Sequence, residues 1–460
     1  MTGSPSGADA GTGTWGDLLG RKNIGVSVVL AGGVGLYATN EFVTTSLLPS
    51  ALKQIGGEPF YAWVTTVYLV ASVMTAATVG AQLGRTGPRQ AYLWTLAVFA
   101  LGTAACALAP SMPILLLGRL IQGAAGGALA GLGYAVINSA LPQALWTRAA
   151  VLVSAMWGLG TLIGPITGGV FAQLGLWRWA FGALVVLTVA IMLLVPVFLS
   201  DRPIHTGPAC IPWRALTLAG AAALAVSLAA VARGVGAMAA LILTGLALLV
   251  GCLVIDRRSA VGMLPRAVYR PGELRWIYLT LGVLMAATGA NLFVPWFGQQ
   301  RAGLTALAAA FLGVALSLGW TVGEITSAGV SGRARIAWLI AISPVVVAAG
   351  WGGAALATHG ARPHVVAWAL AMTVAGAGIG TAWPHLGVWA MSRAGDQNQS
   401  TVAAAAINTV QLVCGAFGAG LAGIVVNTVG RHQASCASWL FVLFAALAAA
   451  GGMAAVRVVR

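Results

Sequence analysis

Apolar runs of about twenty residues, each long enough to cross a bilayer as a helix, follow one another from residue 24 almost to the C-terminus. Fourteen can be delimited, at approximately 24–48, 60–83, 90–109, 112–137, 148–172, 177–199, 214–232, 237–255, 275–298, 304–329, 335–357, 363–391, 400–428 and 434–456. Hydrocarbon offers no hydrogen-bond partner to a backbone N–H or C=O, so such runs must satisfy themselves internally as helices. The chain is therefore expected to be an all-α polytopic membrane protein. Composition agrees, since only 7% of its 460 residues are charged and 59% are hydrophobic, whereas a soluble domain carries about 25% charge. The stretch 214–255 is too long for one helix and is interrupted by ARGV at 232–235, which predicts two short spans. Removing that pair would leave twelve spans and change no other orientation.

Basic residues avoid translocated loops, and they set the expected orientation. With the N-terminus inside, seventeen fall on the cytoplasmic side: Arg21, Lys22, Arg85, Arg89, Arg148, Arg202, Arg214, Arg257, Arg258, Arg266, Arg270, Arg275, Arg333, Arg335, Arg393, Arg457 and Arg460. Six fall outside, namely Lys53, Arg178, Arg233, Arg301, Arg362 and Arg431. Both termini are thus expected in the cytoplasm. The net charge of +15 is spread over many short loops rather than gathered in a stripe, which argues against a nucleic-acid partner and for topology signals with some attraction to anionic lipid.

The remaining features narrow the function class. Residues 1–14 are rich in Gly, Ser and Thr and read as a disordered tail, while WGDLLGRK at 15–22 reads as a short surface helix with Trp15, Leu18 and Leu19 toward lipid. The first apolar run is full length, so no cleavable signal is expected. Cys106, Cys210, Cys252, Cys414 and Cys436 form no CxxC pair, and His359 with His364 lacks acidic or thiol companions, so neither a disulfide framework nor a metal site is expected. No glycine-rich phosphate loop with lysine and no soluble catalytic insert is present, which disfavours an enzyme, a bound cofactor and ATP-driven transport. An ion gradient is the energy source left.

Weak internal repetition organises the spans. TVGAQLGRTGPRQAYL (78–93) and SAGVSGRARIAWL (327–339) each combine glycine with a pair of arginines at a turn on the same side, and NEFV at 40–43 is echoed by NLFV at 291–294. Their order predicts a six-helix half over 24–200, a linker with two extra spans over 201–274, and a second six-helix half over 275–460, after a cytoplasmic tail at 1–23. Two such halves around a midplane site is an architecture of secondary transporters.

Three motifs carry a resemblance to a known family. The turn GAQLGRTGPR (80–89), with Gly80, Arg85, Gly87 and Arg89, looks like the loop between spans 2 and 3 of the major facilitator superfamily. GRLIQGAAGG (118–127) is similar to its span 4 motif, through Arg119, Gln122 and Gly123. GTLIGPITGG (160–169) matches its span 5 pattern GxxxGPxxGG, which is associated there with proton-exchanging exporters, and WRWAF (177–181) looks like the start of span 6. The chain resembles that superfamily over essentially its whole length, and specifically its fourteen-span drug:proton antiporters. The resemblance implies a major facilitator fold, a bacterial cytoplasmic (inner) membrane location, small-molecule cargo and protons as partners, and a monomer. Independently of family, Gly160, Gly164 and Gly168 recur every four residues and leave a side-chain-free strip, with Gly169 beside it and Pro165 loosening the ladder, so another helix can approach closely.

The sequence also departs from the family. Gly84 stands where relatives place the acid of the cytoplasmic latch, and in span 1 the position nine residues before Pro49 is Asn40, with the acid, Glu41, one residue later. Glu41 and Glu324 are the two carboxylates inside spans. A charge at that depth costs about 3 kcal/mol on insertion scales and about 10 in simulations of an isolated helix, so interior, functional placement is the default. Desolvation favours a neutral carboxyl and hydration an ionised one, so an acid whose exposure alternates can load and release a proton. Glu41, among Tyr37, Asn40, Thr44 and Thr45, is the preferred carrier; Glu324 is its alternative or partner; a neutral acid bonded for packing is the competing reading of each. Arg119, always charged, has two open readings: the resemblance implies that it helps the acid lose its proton, and a tether donating to carbonyls is equally consistent. Asn291, Trp383 and His385 are the further cavity candidates, with Pro384 bending span 12 beside the last two. The seventeen tryptophans are otherwise read as interface anchors.

Three functions follow. The first is a proton-coupled exporter of amphipathic, including cationic, small molecules. The second is an exporter of one metabolite or lipid on the same fold. The third is a membrane sensor or assembly factor that kept the fold and lost transport.

Overall fold

The computed structural model describes residues 14–201, 211–259, 262–359, 363–394, 397–430 and 435–459. The tail expected over 1–14, apart from Thr14, lies outside them, as do Arg202, Cys210, Arg362, Arg431 and Arg460. Among the described residues every regular element is a helix. A short α1 (Trp15–Leu18) precedes α2 (Ile24–Ile55), α3 (Trp63–Ala76), α4 (Val79–Ala107), α5 (Met112–Ala135), a short α6 (Ile137–Ala140), α7 (Trp146–Gln173) and α8 (Trp177–Phe198). Next come α9 (Trp213–Ala229) and α10 (Val235–Arg258). The chain closes with α11 (Glu273–Ala287), α12 (Val294–Arg301), α13 (Ala306–Ser327), α14 (Arg333–Ala357), α15 (Val365–Ser392), α16 (Gln397–Val429) and α17 (Cys436–Val459).

Thirteen of these stretches are long and apolar enough to cross a membrane, α11 and α12 counting as one. The fourteenth, α9, has 17 residues. At 1.5 Å per residue that is about 26 Å, just short of a hydrocarbon core of about 30 Å. The stretch 214–255 thus forms two helices, parted at Gly234 with φ 89°, and Gly245 of α10 seats against Val226 and Ala222 of α9.

Local chemistry explains where three elements depart from expectation. The turn expected at 80–89 is largely helical: residues 79–86 continue as helix, Gly87 takes φ 76° and ψ 170°, and Pro88 opens the next segment. Glycine supplies the left-handed φ, and proline fits a first turn that needs no N–H. In span 9, residues 288–293 form a 3-10 turn between α11 and α12. Pro295 follows that turn, has no N–H to give the carbonyl of Asn291 and crowds it, so the α-helical ladder breaks there. In α1, Thr14 and Asp17 form a reciprocal capping box, and Trp15 and Leu19 are exposed as expected. Leu18, expected toward lipid, is instead fully buried, because the chain folds back and Ser27 Oγ donates to its carbonyl.

The packing of the first six long helices recurs in the last six. In the first set α2 packs on α7 and α8, α5 on α3 and α4, and α4 on α8. In the second, α11 and its 3-10 turn pack on α16 and α17, α15 on α13 and α14, and α14 on α17. The two sets meet along α7 with α13 and α3 with α16, and α9 lies over the second seam, touching both α3 and α16.

Apolar contacts run along the seam, where Leu69 and Val73 cluster with Leu412, Val413 and Ala416, and the hydrogen bonds across it lie at the end opposite the termini. Tyr61 Oη donates to the carbonyl of Leu292 (3.2 Å), and its ring stacks on Phe293 at 4.6 Å. Asn427 Nδ2 donates to the carbonyls of Pro59 (2.9 Å) and Ala230 (3.0 Å), and Trp63 Nε1 to that of Ser227 (2.9 Å). A Cβ on Gly423 would lie 2.9 Å from Ala62, and one on Gly169 2.9 Å from Leu307.

Candidate functional site

Close helix approach creates the polar centre of the first six helices. A Cβ on Gly123 would fall 2.3 Å from the carbonyl oxygen of Tyr68, and one on Gly127 2.1 Å from that of Ser72, so glycine is what lets α5 lie against α3. Ser72 Oγ spans the junction, donating to the carbonyls of Tyr68 (2.8 Å) and Gly123 (2.9 Å). Arg119 and Gln122, one turn earlier on α5, project into the same interior, where Arg119 is 1% exposed and Gln122 fully buried.

Arg119 has neutral partners. Its Nε donates to the carbonyl of Val64 (3.1 Å), its Nη1 to Thr44 Oγ1 (3.2 Å) and Gln122 Oε1 (3.0 Å), and its guanidinium lies 3.9 Å over the Tyr68 ring. Gln122 is saturated: Nε2 donates to Asn40 Oδ1 (3.1 Å) and Thr103 Oγ1 (2.9 Å), while Oε1 also accepts from Cys106 Sγ (3.4 Å). Helices α2, α3, α4 and α5 are thereby joined through one buried network. Tyr37 extends it by stacking on Tyr68 (5.6 Å) and meeting Trp157 edge-on (5.3 Å). Carbonyl, hydroxyl and amide receive hydrogens from its Nε and Nη1, and among the described ion pairs none involves it.

Glu41 stands next to this network without belonging to it. The residue is half-buried, and Arg119 is near enough for the two charges to interact. Its neighbour Asn40 is fully buried, with Nδ2 lacking a hydrogen-bond partner. Asn40 and Tyr37, expected to touch cargo, are therefore locked into the interior of this conformation, whereas Glu41 is half-buried.

The last six helices hold a second cluster. Gly376 and Gly380 let α15 approach α13 so closely that added Cβ atoms would fall 1.8 Å from the carbonyl oxygen of Leu316 and 2.0 Å from that of Trp320. Trp320 Nε1 donates to Glu324 Oε1 (2.8 Å), and the Trp320 and Trp383 rings meet at 5.1 Å. Exposed Val322 and Ile325 mark a different face of α13. His385 does not join Trp383: it is 8% exposed, and Nε2 lies 3.1 Å from the carbonyl of Ser327. Pro384 sits within an unbroken α15. Asn291 lies in the 3-10 turn, with a buried Oδ1 that has no hydrogen-bond partner.

The glycines of span 5 divide their work. Added Cβ atoms on Gly160, Gly164 and Gly168 would meet Ala38, Phe42 and Val43 of α2 at 2.9, 2.4 and 2.6 Å, while Gly169 meets Leu307 of α13 across the seam. Pro165 lies within α7. Gly80 sits in the first turn of α4, and Arg85 is exposed. Arg89 pairs with Asp201 at 2.7 Å, its backbone N–H donating to the carbonyl of Ser200 (3.2 Å), so a carboxylate just past α8 serves it. Among the described residues no group of acidic, histidine and thiol side chains could hold a metal ion.

Sequence reasoning missed Tyr68, Ser72, Thr103 and Trp320. The Trp320–Glu324 pair was readable from its spacing of four, which places both on one helix face. The others gain their roles from neighbours remote in sequence.

Residues 30–419 match the Major Facilitator Superfamily. A protein of Mycobacterium tuberculosis named "Probable multidrug-efflux transporter" is 51% identical over 452 residues, which cover 96% of each chain. "Multidrug resistance protein 3" of Bacillus subtilis is 27% identical over 149 residues, 32% of this chain and 29% of that one. Among solved structures, a POT family transporter in complex with 5-aminolevulinic acid aligns with TM-score 0.68 at 14% identity, over 93% of this chain and 94% of its own. A bacterial homologue of the human lysosomal transporter Spinster, inward-facing and occupied, aligns with TM-score 0.65 at 13% identity, over 95% and 97%. At those identities the structures speak for the fold alone. Matched along most of its length by a family of transporters rather than enzymes, this multi-pass membrane chain belongs to the major facilitator superfamily.

Proposed function

We propose that this protein is a proton-coupled antiporter of the fourteen-span drug:proton group, which exports amphipathic, including cationic, small molecules across the bacterial cytoplasmic membrane. Two six-helix halves, with α9 and α10 inserted between them, rock about a site near midplane, and both termini face the cytoplasm. The relative at 51% identity supports the drug-efflux reading, and the recurrent packing of the two helix sets supports alternating access.

One observation carries the mechanism. Glu41 is a half-buried carboxylate outside every described ion pair, beside an arginine whose Nε and Nη1 donate to neutral acceptors. Arg119 is then a fixed positive field, and Glu41 the movable charge. With the cytoplasm at the terminus end, the seam is tied at the outer face and this state opens inward. Cationic cargo entering from the cytoplasm displaces the proton from Glu41 and takes the carboxylate as counter-ion. Opening outward rehydrates the site, a proton reclaims the acid, and cargo leaves. Competition for one negative charge gives exchange directly. Glu324, bonded to Trp320 and next to Trp383, serves as partner carrier on the other half.

The test is dye uptake into inverted vesicles under imposed pH gradients. Glu41→Gln keeps size and polarity but cannot ionise, so gradient-driven uptake is expected to vanish and binding of a cationic dye to purified protein to weaken, its counter-ion being gone. Uptake by Glu41→Gln at the wild-type rate would sink the mechanism.

A further inference from the structure

A second charged feature lies at the terminus end of the last six helices, away from the acids discussed above. Arg270, Glu273, Arg333 and Arg393 line an open cleft of about 410 Å³ between the start of α11, the start of α14 and the end of α15. Glu273 is shared: Oε1 lies 3.3 Å from Arg333 Nη2 and Oε2 2.9 Å from Arg393 Nη1. Arg270 is exposed and makes no described ion pair. Three guanidinium groups thus face one carboxylate, leaving two positive charges uncompensated within hydrogen-bonding reach of one space.

The backbone around the cleft has the same sign. α11 and α14 begin at Gly272 and Gly332, and neither N-cap supplies a side-chain acceptor to the free N–H groups of the first turn. Arg333 is the first residue of α14, where a cation opposes the helix dipole. Burial holds the Arg393 guanidinium below its ordinary value; Glu273 raises it again and Arg333 lowers it further. Arg393 is also fixed in place, 3.9 Å over the Trp389 ring. Nearby, Arg275 and Arg457 both lie over Trp276, at 4.8 and 4.6 Å, an aromatic and cationic pairing typical of the membrane interface.

We propose that this cleft is an anion site for a phosphate oxyanion, offered either by the headgroup of an anionic phospholipid or by free phosphate. Arginine forks match phosphate oxygens in pairs, and Gly272, Glu273 and Leu274 at the start of α11 line the same cleft. Glu273 is the intrinsic competitor, occupying the arginines when no ligand does. The site is independent of cargo and of the proton carrier, so it stands or falls apart from the transport mechanism.

The experiment uses full-length protein purified in detergent. Native mass spectrometry measures retained phosphatidylglycerol against phosphatidylcholine, and equilibrium dialysis measures inorganic phosphate. Wild type is expected to retain phosphatidylglycerol selectively, and the triple variant Arg270→Gln, Arg333→Gln, Arg393→Gln to lose about tenfold or more in affinity. Glu273→Gln is expected to bind several-fold more tightly, a gain that misfolding cannot mimic. Displacement of the lipid by phosphate assigns the site to either source; retention against phosphate assigns it to lipid; phosphate binding without lipid selectivity assigns it to the soluble anion. The proposal is overturned if neither ligand binds selectively, if the triple variant binds as wild type does, or if Glu273→Gln brings no gain.

Discussion

Replacing Gly123 by alanine tests whether close packing of α3 and α5 is what holds Arg119 in place. The new Cβ would sit 2.3 Å from the carbonyl oxygen of Tyr68 and 2.7 Å from its Cα. An ordinary carbon-to-oxygen contact is about 3.3 Å, so α3 must retreat by about 1 Å. Arg119 Nε is 3.1 Å from the carbonyl of Val64, one turn before Tyr68 on the same helix, and a retreat of that size breaks the bond. Overpacking costs about 1–3 kcal/mol, and losing a hydrogen bond to a charged group about 1.5–3 more. At about 1 °C per kcal/mol for a chain of 460 residues, the apparent Tm is expected to fall by about 3–6 °C, and efflux to fall with it. Gly352→Ala in α14 is the control: nothing lies within 4 Å of its added Cβ, and alanine favours a helix over glycine by about 1 kcal/mol. Thermal unfolding in detergent and dye uptake by inverted vesicles measure both variants. If Gly123→Ala unfolds and transports like Gly352→Ala, the packing argument is wrong.

Two further outcomes test the polar contacts. Arg119→Lys keeps the charge but replaces a planar fork with a point donor, so it cannot serve the carbonyl of Val64, Thr44 and Gln122 together; efflux is expected to fall about tenfold or more, and wild-type uptake would refute the tether. Asn427→Ala removes the amide that joins Pro59 to Ala230, two bonds worth about 1 kcal/mol each, so a cysteine introduced at Leu292 is expected to react about tenfold faster with an impermeant maleimide; an unchanged rate would show that this amide does not help tie that end.

How much of this was legible beforehand follows from where each signal resides. Span positions were readable because hydrocarbon demands long apolar helices, and each of the fourteen expected stretches has a helix in the structure. The glycine spacing of span 5 announced a close approach, since an absent side chain is visible in sequence, but not that three of the glycines face α2 and Gly169 faces α13. The turn expected at 80–89 misled because glycine beside proline marks a break without saying how much helix surrounds it. The 3-10 turn at Asn291 was written in Pro295, the residue that follows the echoed NLFV, although the echo suggested a helix like that at Asn40.

By itself, the sequence determined a bundle of membrane-crossing helices, with two carboxylates and one arginine inside spans. Those are consequences of composition and local spacing, which act along the chain. Only the tertiary structure decided that Arg119 bonds to neutral groups from α2, α3 and α5, that Asn40 is fully buried while Glu41 is half-buried, and that Arg333 and Arg393 share one glutamate in a cleft that Arg270 also lines. A partner more than fifty residues away leaves no periodic trace, because which side chains meet depends on how closely helices approach, and here that distance is set by glycines on facing helices.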